Sequence, residues 1–300
     1  MPRRSSASPD VRLIASGGPR DDEFLTATIS RTVHVWSLAK RGLLRELDTI
    51  VDFGGRRAAL CRDGRRRIVV ASAWARDGIC GYAADGRIWQ RKDLRQSHVL
   101  VRNGSGELLS ATFERKATHV LEAATGETVT KLRGAIHVYW SPWSPHALIE
   151  TTDSVALIET GSWQRLGWQH PLSGFTTLAA AFNRDAVLVS DVGAEAETTA
   201  ELVCLDLDGA VRWRWRATPW TYCRTLAWDD DAGAWVGVTF HMNHERPNAL
   251  VRWTPEGELI STKEIGLRDE FGLLASGRHL VADTDVLDAR SGRRLWTLTI

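Results

Sequence analysis

A unit of two alternating apolar runs around a glycine turn recurs seven times in the 300 residues, about 42 residues apart. A second strand–turn–strand unit precedes each copy. Few segments hold a helical period over ten or more residues, so no amphipathic helix competes. These observations predict an all-β chain: seven four-stranded antiparallel blades in one ring, a seven-bladed β-propeller.

The hairpin copies are VHVWSLAKRGLLREL, ICGYAADGRIWQ, HVLEAATGETVTKL, VALIETGSWQRLGW, LVCLDLDGAVRWRW, LVRWTPEGELIST and DVLDARSGRRLWTL, turning at Gly42, Gly86, Gly126, Gly161, Gly209, Gly257 and Gly292. Asp85-Gly86 and Asp208-Gly209 are dipeptides that close tight hairpins. The preceding units run from RLIASGGPRDDEFLTAT through AALCRDGRRRIVVAS, HVLVRNGSGELLSAT, HVYWSPWSPHALIET, LAAAFNRDAVLVSD and RTLAWDDDAGAWVGVTF to GLLASGRHLVAD. Each blade thus has strands A to D. One blade cannot bury both of its faces alone, whereas neighbours stacked in a ring can. Residues 1–10 are expected to be a disordered tail and residues 11–300 a single propeller domain. The first blade begins its own A strand at Val11 and the last completes its own D strand at Ile300. Closure is therefore expected to rest on packing between blades 1 and 7, without a swapped strand.

Composition narrows the function. Lys plus Arg is 38 and Asp plus Glu is 37, a net charge of +1, which argues against a strongly basic nucleic-acid binder. No apolar run approaches membrane-spanning length. MPRRSSASPD is followed by no apolar core of a secretory signal. The four cysteines, Cys61, Cys80, Cys204 and Cys223, form no CxxC pair and read as isolated buried thiols in a reducing, cytoplasmic protein. Tryptophan supplies 14 of the 24 aromatics (Trp 14, Phe 7, Tyr 3), each a large buried area with one N–H to satisfy.

The turns carry a family likeness. A small or acidic residue, Gly, then Trp four residues on appears as ARSGRRLW (Gly292, Trp296) and LDLDGAVRW (Gly209, Trp213), with Trp89 one residue early after Gly86. Trp closes the third strand in VHVWSLAKRG (Trp36) and LVRWTPEG (Trp253). In these features residues 11–300 resemble the bacterial WD40-like and quinoprotein-like (PQQ-repeat) β-propellers. The motifs are degenerate: there is no Gly-His dipeptide, and the single Trp-Asp pair, Trp228-Asp229, falls in an A–B turn. The chain lacks the adjacent cysteines of the quinone enzymes, so no quinone, and no other cofactor, is expected.

The resemblance implies that D–A links and B–C loops open on one end of the ring, the top. The longest B–C loops expected there begin at Asp191 (DVGAEAETTA) and after Phe240 (HMNHERPN). Long loops on a rigid scaffold concentrate binding. His241, His244 and Glu245 form the densest chemical group. Their HxxHE order differs from the HExxH zinc motif, which needs a helix, so no metal site is assigned. Trp220 and Tyr222 come from one D–A link beside this blade, Arg268, Asp269 and Glu270 from the other, and Trp74 from the B–C loop of blade 2. Aromatics mixed with Arg are the usual anchors of protein interfaces.

The acidic runs Asp21-Asp22-Glu23 and Asp229-Asp230-Asp231 fall in A–B turns, where such residues shape turns or stay solvated. Arg56, Arg57, Arg62 and Arg65 to Arg67 make blade 2 locally positive. Trp213 and Trp215 alternate with Arg212, Arg214 and Arg216, which puts the indoles on one face of the strand, between blades, and the guanidiniums on the other. No phosphate-binding loop and no G-x-S-x-G elbow occurs. The reading is a non-catalytic scaffold, expected to be monomeric, that recognises a protein partner through the top of blades 5 to 7, with no nucleic acid or membrane partner. The alternative is a small-molecule enzyme or binder in the central funnel, with His241 or His244 as general base. Carbohydrate binding rests only on tryptophan abundance.

Overall fold

Period-2 alternation between glycine turns gives strands, and the computed structural model contains 28 of them among its described residues. These residues are 11–16, 23–28, 30–51, 58–73, 77–94, 100–101, 107–113, 117–172, 174–193, 200–218, 221–241 and 246–300. Blade 1 holds β1 (Val11–Ser16), β2 (Glu23–Thr28), β3 (Thr32–Ser37) and β4 (Gly42–Asp48). Blade 2 holds β5 (Ala58–Asp63), β6 (Arg66–Ser72), β7 (Ile79–Ala83) and β8 (Gly86–Arg91). Blade 3 holds β9 (Leu100–Val101), β10 (Leu108–Phe113), β11 (Ala117–Glu122) and β12 (Thr128–Arg133). Blade 4 holds β13 (His137–Trp140), β14 (His146–Glu150), β15 (Ser154–Glu159) and β16 (Arg165–Pro171). Blade 5 holds β17 (Gly174–Phe182), β18 (Ala186–Gly193), β19 (Glu201–Asp206) and β20 (Val211–Arg216). Blade 6 holds β21 (Thr221–Asp229), β22 (Ala234–His241), β23 (Asn248–Trp253) and β24 (Leu259–Gly266). Blade 7 holds β25 (Phe271–Leu273), β26 (His279–Ala282), β27 (Asp285–Asp288) and β28 (Arg294–Thr297).

Each blade is a four-stranded antiparallel sheet in chain order. The helix among the described residues is one 3-10 turn, Lys92–Leu94. The core is divided among the seams between blades. Among the described residues seven apolar clusters occur, one per seam. In β22, Trp235 enters the seam with blade 5, while Val236, Val238 and Phe240 enter the seam with blade 7. Both faces of such a strand are covered, so β22 is buried along its whole length. The outer strands are half in water, as in β20, where Trp213 and Trp215 are partly buried and the intervening arginines exposed. The seams carry most of the stability: removing one fully buried indole such as Trp253 costs about 3–5 kcal/mol.

Among the described residues the first and last blades meet by packing. β1 lies beside both β5 and β25, and Val11, Ile14, Phe24 and Trp36 of blade 1 share a cluster with Leu274, Val281, Val286 and Leu298 of blade 7. β1 pairs with β2, and β28 with β27. Residues 1–10, the expected tail, lie outside the described residues.

Indoles lock successive blades together. Trp89 of β8 donates its Nε1–H to the Ala123 carbonyl at 2.9 Å, Trp168 of β16 to Leu207 at 2.8 Å, and Trp213 of β20 to Pro255 at 2.7 Å. Each ring lies on the turn glycine of the next blade: Gly126, Gly209 and Gly257 respectively, where a Cβ would come within 2.6 Å of the ring. Blade 6 has Ser261 four residues past its turn glycine. There Lys263 supplies the contact, its chain lying over Gly292 and its Nζ donating to the Ser291 carbonyl.

The bottom end, where A–B and C–D turns open, is cross-linked by charge. Glu23, buried, accepts both Nε–H and Nη2–H of Arg67 and lies 3.6 Å from Arg62. Asp229 is 0% exposed and accepts two hydrogen bonds from Arg290 of blade 7, at 2.7 and 2.8 Å. The sequence suggested solvated turn residues; these two acids are instead buried and paired. Glu23 opens β2 and Asp229 closes β21, and each side chain meets an arginine of the next blade.

Candidate functional site at the top of blades 5 to 7

In a four-stranded antiparallel blade the first and third strands start where the second and fourth end. The top of blade 6 is therefore formed by Thr221, His241, Asn248 and Gly266, with the link to blade 7 beside them. Tyr222 pairs in register with Phe240, and their rings lie 5.5 Å apart. Burial raises its phenol above the ordinary range, and Arg224 opposes this. Arg224 spreads over two rings, 5.4 Å from Phe240 and 5.3 Å from Phe271. It donates to the Asp269 carbonyl at 3.2 Å and lies 3.8 Å from the Glu270 carboxylate.

The link carrying Arg268, Asp269 and Glu270 is pinned at both ends. The Arg268 N–H donates to Asn248 Oδ1 at 2.9 Å. The Glu270 N–H donates to Asp283 Oδ1 at 3.1 Å, and the Asp283 N–H donates to the Glu270 carbonyl at 2.6 Å. Asp283 holds φ 51, a left-handed conformation that Asp tolerates better than most residues. The Arg268 guanidinium lies 3.5 Å from Asp283 and 3.2 Å from Asp285. A short link so fastened presents its side chains in a fixed arrangement.

Tyr222, Arg268, Asp269 and Glu270 thus gather on one surface, joined by Arg224, Asp283 and Asp285, which the sequence reading missed. A cation among the largely buried residues of an inner strand was the available signal for Arg224. Two expected loop residues are strand residues instead. His241 is the last residue of β22, 6% exposed, and its Nδ1 has no hydrogen-bond partner among the described residues. Asp191 lies within β18, opposite Thr177 and Glu201, and is also buried. Bulges in β17 and β21, at Thr177/Ala179 and Cys223/Thr225, accompany pairing that runs past the apolar runs, so β18 and β22 extend further than the sequence suggested. Asp191 belongs to blade 5 and stands apart from the link. His244, Glu245, Trp220 and Trp74 lie outside the described residues.

A second polar group was missed, at the top of blade 4. His137 Nδ1 is 2.9 Å from Glu150 Oε2, and the Tyr139 hydroxyl donates to the same oxygen at 3.2 Å. His137 and Glu150 face each other in register and are buried. A carboxylate at Nδ1 fixes both the tautomer and the plane of an imidazole. The signal was a polar residue at the outer end of each of two apolar strands. Among the described residues no group of three or more His, Cys, Asp or Glu is placed to hold a metal ion, and no helix is long and apolar enough to cross a membrane.

No protein-family model matches the chain, and no curated protein matches it. Among solved structures it is similar to the β-propeller domain of Cps50 (Swd1) from Myceliophteria thermophila, with 12% identity and a TM-score of 0.65 over 97% of this chain and 96% of that one. Likeness at that identity concerns architecture: the chain is a seven-bladed β-propeller.

Proposed function

We propose that the chain is a non-catalytic scaffold that recognises a protein partner through the top of blades 5 to 7. The carrying observation is the fastened link: Arg268, Asp269 and Glu270, with Arg224 and Tyr222 beside them, form a mixed-charge and aromatic surface. Leu267, 63% exposed, adds an apolar group at its edge. Such a surface suits a partner with a complementary charge pattern around an apolar contact. The scaffold acts without a cofactor, in the cytoplasm, as a monomer.

The test compares the wild-type chain with a Leu267→Glu, Asp269→Lys double variant as bait in a lysate of the native host, after cross-linking. The expected result is a defined protein cross-linked within residues 267–270 and lost from the variant, with melting temperature unchanged. A partner retained equally by both chains sinks the proposal.

A further inference from the structure

Among the described residues each blade leaves the outer edge of its fourth strand unpaired, and such edges invite pairing with other chains unless charge, proline or shortness prevents it. Six of the seven carry such protection. β4 has Arg45, Glu46 and Asp48; β8 has Arg87 and Arg91; β12 has Lys131 and Arg133. β16 is interrupted by Gly167 at φ 72 and ends on Pro171. β20 alternates three arginines, and β28 is four residues long.

β24 differs. With eight residues it is the longest outer strand, and it opens with the uncharged run Leu259-Ile260-Ser261-Thr262. Leu259 is 55% exposed and Ile260 48%. Its one cation, Lys263, is drawn away toward Ser291 and Gly292 of blade 7. The remaining charge is acidic. Glu256 and Glu258 in the turn before the strand, and Glu264 within it, are exposed and form no ion pair among the described residues.

We infer that the outer edge of β24 accepts an extended basic and apolar segment of a partner protein as a fifth strand of blade 6. Backbone hydrogen bonds along the edge supply affinity, and alternate side chains supply selectivity. Thr262 and Glu264 line one face of the regular stretch Ser261 to Glu264, and Ile260 stands at the bulge before it, so the incoming segment sets a cation near Glu264 and an apolar residue at Ile260. A second copy of this chain fits poorly, because a second β24 brings the same carboxylates into the pairing. This surface is separate from the top-face link.

The test titrates a capped peptide of alternating Lys and Val onto the full chain, with a Glu/Val peptide as control. Binding is read by fluorescence anisotropy, and backbone protection by amide hydrogen exchange. The Lys/Val peptide is expected to bind, more weakly as salt rises, and to slow exchange in β24. Ile260→Lys and Glu264→Lys should each weaken it about tenfold with unchanged melting temperature. The top-face variant Asp269→Lys should leave it intact, so the two surfaces stand or fall separately. Equal binding of both peptides, or protection at another strand, overturns the inference. So does protection of β24 by self-association in the absence of peptide, which would identify a second copy as the occupant.

Discussion

The indole N–H of Trp213 donates to the carbonyl of Pro255, 2.7 Å away in the next blade, and the ring covers Gly257 in the same turn. Gly257 has φ 90, so a side chain there is strained by the backbone and blocked by the indole. Gly257→Ala is expected to cost about 2–4 kcal/mol, from backbone strain together with overpacking. Trp213→Phe, which keeps a ring but loses the N–H, should cost about 1 kcal/mol. Urea denaturation of both variants checks the order. A tolerated Gly257→Ala would show that the seam can open without loss.

Asp229 and Arg290 make a different kind of cross-blade link. The carboxylate is fully buried, with Arg252 at 3.8 Å as its second cation. Taking away one partner of a buried pair leaves an undercompensated charge. Arg290 is partly exposed, which screens the pair, so Arg290→Met is expected to cost about 2 kcal/mol, below the full value for a buried pair. Adding Asp229→Asn should recover part of the loss, and a double-mutant cycle measures the coupling.

Acid should weaken the fold before its carboxylates titrate. Burial lowers the pKa of His34, with Glu46 opposing at 3.5 Å. Burial also lowers His119, helped by Lys131 and Arg91 and opposed by Asp93, and lowers His170, helped by Arg214 and opposed by Asp191 and Glu201. Each histidine is favoured neutral in the native state. The stability this contributes is present above the ordinary histidine value of 6.5 and is lost as pH falls through the lower folded values. Melting temperature should therefore decline as pH falls below that value, and His34→Gln should flatten the decline. An unchanged slope in that variant would exclude His34 as a source.

The thiols should be inert in the native state. None of the four cysteines is in a disulfide and all are buried, and burial pushes the Cys204 and Cys223 thiols up to about 12. The thiolate is the reactive form. A thiol reagent at neutral pH is expected to label the chain only after denaturant is added, and reductant should leave the melting temperature in place.

His241 is expected to behave as a seam residue. As a loop residue it could be removed almost freely. Buried at the end of β22, its replacement in His241→Ala opens a cavity and should cost about 1–3 kcal/mol. Because its Nδ1 makes no hydrogen bond among the described residues, His241→Leu should cost much less. A neutral His241→Ala by thermal denaturation would return the residue to the surface.

The sequence alone determined the blades. Alternation and turn glycines are local signals, and their recurrence sets the number of sheets and the order of strands within each. It also placed Trp213 and Trp215 on the inner side of their strand, because side-chain direction in a strand follows from parity. Only the tertiary structure decided that Asp229 meets Arg290, that Glu23 meets Arg67, and that Arg224 rests on Phe240 and Phe271. It also decided that β18 and β22 run on to bury Asp191 and His241. The physical reason is the ring: Asp229 and Arg290 are 61 residues apart in the chain, and Glu23 and Arg67 are 44 apart. What brings them together is the packing of one blade on the next, which no local pattern records.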